Sequence, residues 1–493
     1  MIGWIIPTVS TTFSFNLSPM NPPQGRLIRS LSLFAAFMLT VSSVIGSGIY
    51  KKVAPMSLEL LSPGLVLLCW VLAGLITLFG ALSNAEIASM LADSGGEYVY
   101  YRKIYNRFFA FLYGWIRSAS LASIAYVFSQ SFHALVPLPE LPSALAEISV
   151  MGIFTPFHNF GVKALTIGLI VVLTVINYRG LKGGEGLSRY VLILVTAVIA
   201  VIVLLGLTIG GGSLENLQVN ATGFVERPWY DAGLIQAMFA AMLAAFWAYE
   251  GWSTTGYLGG EIQNPNRNLP LALVFGVLFV MGVYVIVNFT YLYVLPIDQI
   301  VDVARTQNTI AAVVVVQHIL GNPGVLFISL LIILTTFGAT NTTALMPPRL
   351  YYAMAKEGVF FKGAAYIHPR FNTPSKAFVI QAIWASVLVL SGSFDQLTDM
   401  LVFASFIFYG ATTLGVFILR KRMPDTPRPY KAWGYPIVPA LFILFCIALI
   451  GITLIGKPRE ALLGLGLMMT GIPFYYYWTR KGNSPAPADH QEG

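Results

Sequence analysis

The chain has 493 residues, 56% of them hydrophobic and only 10% charged, with a mean hydropathy of +0.73. Soluble domains carry about 25% charged residues, so a chain this long with so little charge excludes a soluble globular protein and reads as all-α and polytopic. The formal charge of +8 is no nucleic-acid signal, because its distribution along the chain accounts for it.

A spanning helix needs about 20 apolar residues. Twelve stretches qualify, at about 31–50, 63–90, 108–136, 162–177, 188–210, 232–258, 270–294, 323–346, 376–391, 396–419, 435–455 and 460–478. With the N-terminus inside, 21 Lys and Arg fall on the inner side and 7 on the outer, Arg117 standing apart within a span. This bias puts both termini in the cytoplasm, despite Lys51 and Lys52 outside. The expected division is an N-terminal tail at 1–28, one transmembrane domain at 29–482 and a C-terminal tail at 483–493. The first tail is weakly apolar, rich in Ser, Thr and Pro, and lacks the basic start of a cleavable signal.

In chain order, the first informative feature interrupts span 1: Val44-Ile45-Gly46-Ser47-Gly48-Ile49. Each glycine weakens a helix by roughly 1 kcal/mol relative to alanine, so two around a serine predict a break. Broken backbone at membrane depth is tolerated only inside protein or beside a water-filled cavity. Unwound amides and the positive end of the following half-helix suit a bound carboxylate. The same small residues would also allow close helix packing. In span 2, Cys69 reads as a small buried residue, as does Cys446 in span 11. No cysteine lies in a predicted outer loop, so no disulfide-linked heavy subunit is expected. Arg117 in span 3 either snorkels to the interface or pairs with a carboxylate inside the bundle. The longest loops, about 136–161 and 211–231, are predicted outside.

Span 6 contains a second break, Phe246-Trp247-Ala248-Tyr249-Glu250-Gly251-Trp252-Ser253-Thr254-Thr255-Gly256. A mid-span carboxylate costs roughly 3 kcal/mol on insertion scales, which makes Glu250 a functional candidate. It could hold a cationic group, titrate as a proton-coupling site, or cap the broken backbone. Exposed carbonyls of Trp247, Ala248 and Glu250 suit an ammonium group. Trp247 is large enough to close over a small ligand, and ordinary core packing is its alternative use. Each break opens a five-helix half, at about 29–210 and 232–420, with helices 11 and 12 at about 434–479 outside the repeat. Breaks at corresponding positions of two halves point to a transporter built on inverted repeats. In span 8, Thr335-Thr336-Phe337-Gly338-Ala339-Thr340-Asn341-Thr342-Thr343 offers hydroxyls for Na⁺ or, as expected here, for bonds between helices.

His133, His158, His318, His368 and His490 are scattered without metal-ligand spacing. There is neither a phosphate-binding loop nor a nucleophile elbow. An ATP-driven pump has no support, and a membrane-embedded enzyme with a catalytic residue is disfavoured. A channel is disfavoured because no ring of charges or filter-like repeat is present. No cofactor, metal or nucleic acid is expected; the expected partners are a small molecule and membrane lipid.

Several motifs in order resemble the amino acid–polyamine–organocation superfamily, on the branch of the L-type amino acid transporters. They are Ile45-Gly46-Ser47-Gly48-Ile49-Tyr50; Ala85-Glu86 and Ser94-Gly95-Gly96-Glu97-Tyr98; Phe111-Leu112-Tyr113-Gly114-Trp115; and Ala248-Tyr249-Glu250-Gly251-Trp252. Glu261-Ile262-Gln263-Asn264-Pro265, Asn268-Leu269-Pro270, Pro348-Arg349-Leu350-Tyr351-Tyr352, His368-Pro369-Arg370-Phe371, Thr373-Pro374 and Arg428-Pro429-Tyr430-Lys431 continue the series, which covers roughly 28–440. Each is weak alone; their order and spacing are specific.

The resemblance implies a twelve-helix fold with a five-plus-five inverted repeat, unwound helices 1 and 6, and alternating access. It implies an L-amino acid whose carboxylate meets the backbone at Gly46, Ser47 and Gly48. Its amine would meet carbonyls at Val44, Trp247, Ala248 and Glu250, with Ile45 and Ser253 beside them and Trp247 as the aromatic gate. Such proteins usually exchange substrates without Na⁺. Where members commonly carry a helix-5 lysine that stands in for a bound cation, this chain has Val195. The coupling candidates are therefore Glu250, the Val195 position, Thr335 and Thr336. The missing outer-loop cysteine favours a stand-alone bacterial carrier of the inner membrane. The expected function is Na⁺-independent exchange of a neutral L-amino acid; the alternatives are a proton-coupled importer or a carrier of cationic amino acids or polyamines.

Overall fold

The structure is a computed structural model and describes residues 27–148, 156–306, 310–391, 394–456 and 458–480. Residues 1–26 of the expected first tail, all of the expected C-terminal tail, His490, and residues 149–155 of the first long loop lie outside the described residues. Among the described residues the regular structure is helical, apart from isolated bridges pairing Leu31 with Ile262 and Ser94 with Leu258.

Helix α1 (Leu33–Val44) starts at Ser32, whose Oγ accepts the Ala35 amide at 3.2 Å, an N-cap that satisfies one orphan donor. It stops at Ile45, whose backbone is extended. The chain resumes as α2 (Gly48–Lys51) and α3 (Val53–Leu60). Helix α4 (Pro63–Met90) opens on a proline, which lacks only an amide that would be unpaired there. Helices α5 (Glu97–Ile104), α6 (Arg107–Arg117) and α7 (Ser120–Leu135) follow, α6 capped by Asn106 Oδ1 on the Phe109 amide at 2.9 Å. After the one-turn α8 (Ser143–Ala146) come α9 (Phe160–Tyr178) and α10 (Leu181–Thr208).

Helix α11 (Ala232–Tyr249) is capped by Asp231 and ends at Glu250. Gly251 then takes φ +102°, and a Cβ there would lie 2.6 Å from the Ser43 carbonyl oxygen. Only glycine meets both conditions. A short 3₁₀ turn, Thr254–Tyr257, continues the second broken helix. The remaining helices are α12 (Pro265–Val294), α13 (Ile297–Thr306), α14 (Ala311–Leu320), α15 (Asn322–Leu345), α16 (Pro348–Lys356), α17 (Ser375–Ser391), α18 (Phe394–Arg422), α19 (Ile437–Gly456) and α20 (Pro458–Arg480).

Among the described residues, ten helical stretches are long and apolar enough to cross a membrane. They match the first eight predicted spans, the tenth and the eleventh. The other two expected spans are also helical, but α17 is only 17 residues long, and α20 is not among the ten. The multi-pass character shows on the outer faces as well: α10 exposes Ile193, Leu194, Val201 and Leu204, apolar surface that water would not tolerate and lipid does.

Helix α12 runs along α1 and α4, while α15 packs against α7 and α10. Three apolar clusters form among the described residues, and two of them flank the breaks. One gathers Tyr50, Trp70, Ala248 and Tyr284; the other gathers Tyr101, Tyr113, Tyr257 and Met346. The two broken helices meet between them. Ser43 Oγ donates to the Gly251 carbonyl at 3.0 Å, and the Thr40 and Thr255 hydroxyls lie 2.8 Å apart. Towards the α5 and α16 side, Arg349 grips Glu261 with Nε and Nη2 at 3.0 and 2.8 Å, both residues buried. Arg420 makes the same two-pronged contact with Glu86 at 2.9 and 2.6 Å. Bidentate geometry of this kind fixes orientation as well as charge.

Candidate functional site

A cavity of about 90 Å³, partly open to solvent, lies where the two breaks face each other. Val44, Gly46, Ser47 and Gly48 line one wall; Trp247, Ala248, Glu250 and Gly251 line the second. Helices α6, α7 and α15 close the rest with Arg117, Ser120, Ser123, Ile124, Val127, Thr336 and Thr342. Most of the sequence candidates therefore line one space.

The first wall presents donors. Among the described residues, the amides of Gly46, Ser47 and Gly48 find no hydrogen-bond acceptor. Three unpaired N–H groups at a helix start form an anion-binding surface. The walls are also close: a Cβ on Gly48 would meet Ala248 Cβ at 2.5 Å. The acceptors converge elsewhere. Tyr284 of α12 places its hydroxyl 3.0 Å from the Val44 carbonyl oxygen and 2.8 Å from that of Ala248. One hydroxyl hydrogen can serve one of these fully at a time. Trp247 is half-buried at the cavity edge, with Lys52 Nζ 5.8 Å from its ring centroid.

Four candidates sit differently. Ile45 terminates α1 and buries its side chain in the apolar cluster, away from the cavity lining. Ser253 donates to Glu97 Oε2 at 3.0 Å. Thr335 donates to the Leu331 carbonyl at 2.7 Å and pairs with the Tyr50 hydroxyl at 2.9 Å. Val195 of α10 is buried among apolar neighbours and has no polar group to offer. Thr336 does line the cavity, and its hydroxyl donates to the Ile332 carbonyl at 2.8 Å.

Glu250 is paired. Its Oε1 accepts Arg117 Nη1 at 2.6 Å and the Tyr409 hydroxyl at 2.8 Å, with Ser405 Oγ at 3.3 Å. Arg117 also gives Nη2 to Tyr409 at 2.9 Å and Nε to the Tyr113 hydroxyl at 3.4 Å. Behind this pair lies a carboxylate the sequence reading quoted only as part of a motif. Glu97 is fully buried, hydrogen-bonded to Tyr113 and Ser253 on Oε2 and to Asn84 on Oε1. Burial pushes its carboxyl above the ordinary carboxylate range, opposed chiefly by the charge of Arg117.

The sequence reading also missed Tyr284, Tyr409 and Ser123. Ser123 is buried on the cavity wall and its Oγ has no partner among the described residues. A lone hydroxyl in an apolar span carries little signal by itself. Only its placement opposite Gly46–Gly48 makes it informative.

The family described as amino acid permease matches residues 31–477, which take in both broken helices and every wall of the cavity. The chain belongs to the amino acid permease family. The permease is 30% identical over 464 residues to a serine/threonine exchanger of Bacillus subtilis, covering 93% of this chain and 98% of the relative. It is 28% identical over 485 residues to the human b(0,+)-type amino acid transporter 1, covering 95% and 93%. To the human cystine/glutamate transporter it is 26% identical over 479 residues, covering 94% and 89%. The permease is thus an amino acid transporter of the amino acid–polyamine–organocation superfamily, on its L-type branch, and not an enzyme.

Proposed function

We propose that the permease exchanges neutral L-amino acids with small polar side chains, without Na⁺, by alternating access across a bacterial inner membrane with both termini inside. The observation that carries this reading is that three amides at Gly46–Gly48, unpaired among the described residues, adjoin the carbonyls of Val44 and Ala248 at one cavity. An α-carboxylate fits the first set and an α-ammonium the second. Trp247 is the gate over them. The five-plus-five repeat and twelve spans are the architecture in which such paired breaks occur.

A neutral side chain is favoured because Arg117 already neutralises Glu250. A cationic substrate would have to displace that guanidinium. Small and polar is favoured by Ser120, the orphan hydroxyl of Ser123, Thr342 and Thr343 on the far wall. The serine/threonine exchange named for the Bacillus relative agrees with this. Na⁺ independence is supported by the use of the Thr335 and Thr336 hydroxyls within α15 and with Tyr50.

The test is counterflow of radiolabelled L-serine in proteoliposomes. Preloading with serine, threonine or alanine should accelerate uptake, arginine should not, and choline should replace Na⁺ without effect. Equal uptake into empty vesicles, or a requirement for Na⁺, would overturn the exchange reading.

A further inference from the structure

Glu97 and Glu250 share a single cation. Arg117 binds Glu250 directly at 2.6 Å, and reaches Glu97 only through the Tyr113 hydroxyl. The direct partners of Glu97 are neutral: Tyr113, Ser253 at 3.0 Å and Asn84 at 3.4 Å. Asn84 faces Glu97 from α4, and Tyr100 and Tyr101 from α5 itself. Tyr113 and Arg117 face it from α6, Ser253, Tyr257 and Glu250 from the second break, and Tyr409 from α18. Tyr351 of α16 lies within electrostatic reach of Tyr257 and Arg117. With both carboxyls ionised, this buried cluster holds two negative charges and one positive. An uncompensated buried charge is unfavourable, and a carboxyl in that position neutralises itself by taking a proton.

We propose that Glu97 is a proton-binding site, occupied when the second broken helix is docked on α5 as seen here and emptied when that helix moves away. The proton sits on Oε1, the oxygen with one weak donor, while Oε2 accepts from Tyr113 and Ser253. The docking contacts are visible: the Gly95 amide donates to the Tyr257 carbonyl at 3.1 Å, and Ser94 bridges Leu258. Separation breaks the Ser253 bond and admits water, which stabilises the carboxylate and takes the proton to solvent. Proton release on the α5 side is thereby linked to opening of that side. The flux consequence rests on the transport reading above; the protonation itself does not.

Two measurements test it. Infrared spectroscopy of the full chain in lipid nanodiscs at neutral pH should show the carbonyl stretch of a protonated carboxylic acid. That band should vanish as pH rises, be absent in Glu97→Gln, and vanish at lower pH in Glu250→Gln, where Arg117 is left to neutralise Glu97. No such band in the wild type, or a band lost in Glu250→Gln and kept in Glu97→Gln, overturns the assignment. In proteoliposomes, wild-type counterflow should vary with pH on the α5 side, by at most about tenfold per pH unit for one proton, and by less than about twofold in Glu97→Gln. A Glu97→Gln profile that follows the wild type also overturns it. If the wild type shows no counterflow with any amino acid, the transport reading fails, and the infrared result alone decides Glu97.

Discussion

Gly48 and Ala248 touch so closely that a methyl group on the first would stand 2.5 Å from the methyl of the second. The contact brings one break against the other and sets the width of the space between amides and carbonyls. Gly48→Val should therefore abolish counterflow while the protein still inserts and elutes as a single species, since overpacking of this kind costs about 1–3 kcal/mol. Wild-type transport by that variant would sink the assignment of the cavity as the substrate site.

Tyr284 offers one hydrogen to two carbonyls, those of Val44 and Ala248. In the proposed site, its hydroxyl holds the acceptors in register for an ammonium group. Tyr284→Phe keeps the ring and removes the bond. A hydrogen bond worth about 1 kcal/mol corresponds to roughly a fivefold rise in KM, with maximal rate changed less. Concentration-dependent counterflow measures this, and an unchanged KM would show that Tyr284 only packs.

Arg117 is buried and Glu250 half-buried, and removing one partner strands the other. Arg117→Gln and Glu250→Gln should each destabilise the protein by about 3–5 kcal/mol, and the double variant by clearly less than their sum. Thermal unfolding of purified protein in detergent provides the comparison. Simple additivity would mean that the two charges do not depend on each other.

Ser123 lines the cavity, and its buried hydroxyl has no partner among the described residues. Ser123→Ala should weaken competition by serine and threonine by roughly fivefold relative to alanine, the worth of about one hydrogen bond. Equal loss for all three amino acids would place the effect in packing rather than recognition.

Glu97 also gives stability a pH dependence with a definite sign. Its carboxyl is raised by burial above the ordinary carboxylate range, so the folded state binds the proton more tightly than the unfolded chain. The associated stability is fully present below the unfolded carboxylate range and is lost as pH rises through the raised value. Melting temperature should fall over that interval in the wild type and stay flatter in Glu97→Gln. A wild-type melting temperature that rises there would contradict the raised carboxyl.

The breaks were legible because glycine in an apolar run has few other uses, and Glu250 because a mid-span carboxylate is costly. The span at 63–90 coincides with α4 residue for residue, since Pro63 fixes its start. Arg117 was legible as a buried charge but its partner was not, because Glu250 lies 133 positions away and only the fold brings them together. Tyr284 looks like core in a sequence, and its role depends on two carbonyls from other helices. Ser253 was drawn to the site by proximity to Glu250, yet the turn after Gly251 aims it at Glu97. Helices α13 and α14 were not foreseen. They are short, 10 residues each, and fall between spans where apolar length gives no cue.

The Ser43–Gly251 and Thr40–Thr255 bonds have a mechanical consequence. They fasten the lower half of the first broken helix to the lower half of the second, 3.0 and 2.8 Å apart at the two points. Tilting α1 carries the Thr254–Tyr257 turn with it. The two halves then share one degree of freedom, and a half-open state, with one segment displaced and the other in place, is disfavoured by two broken bonds. Under the proposed alternating access, a carrier built this way would resist leaking water and ions, because its door on the α5 side has one leaf.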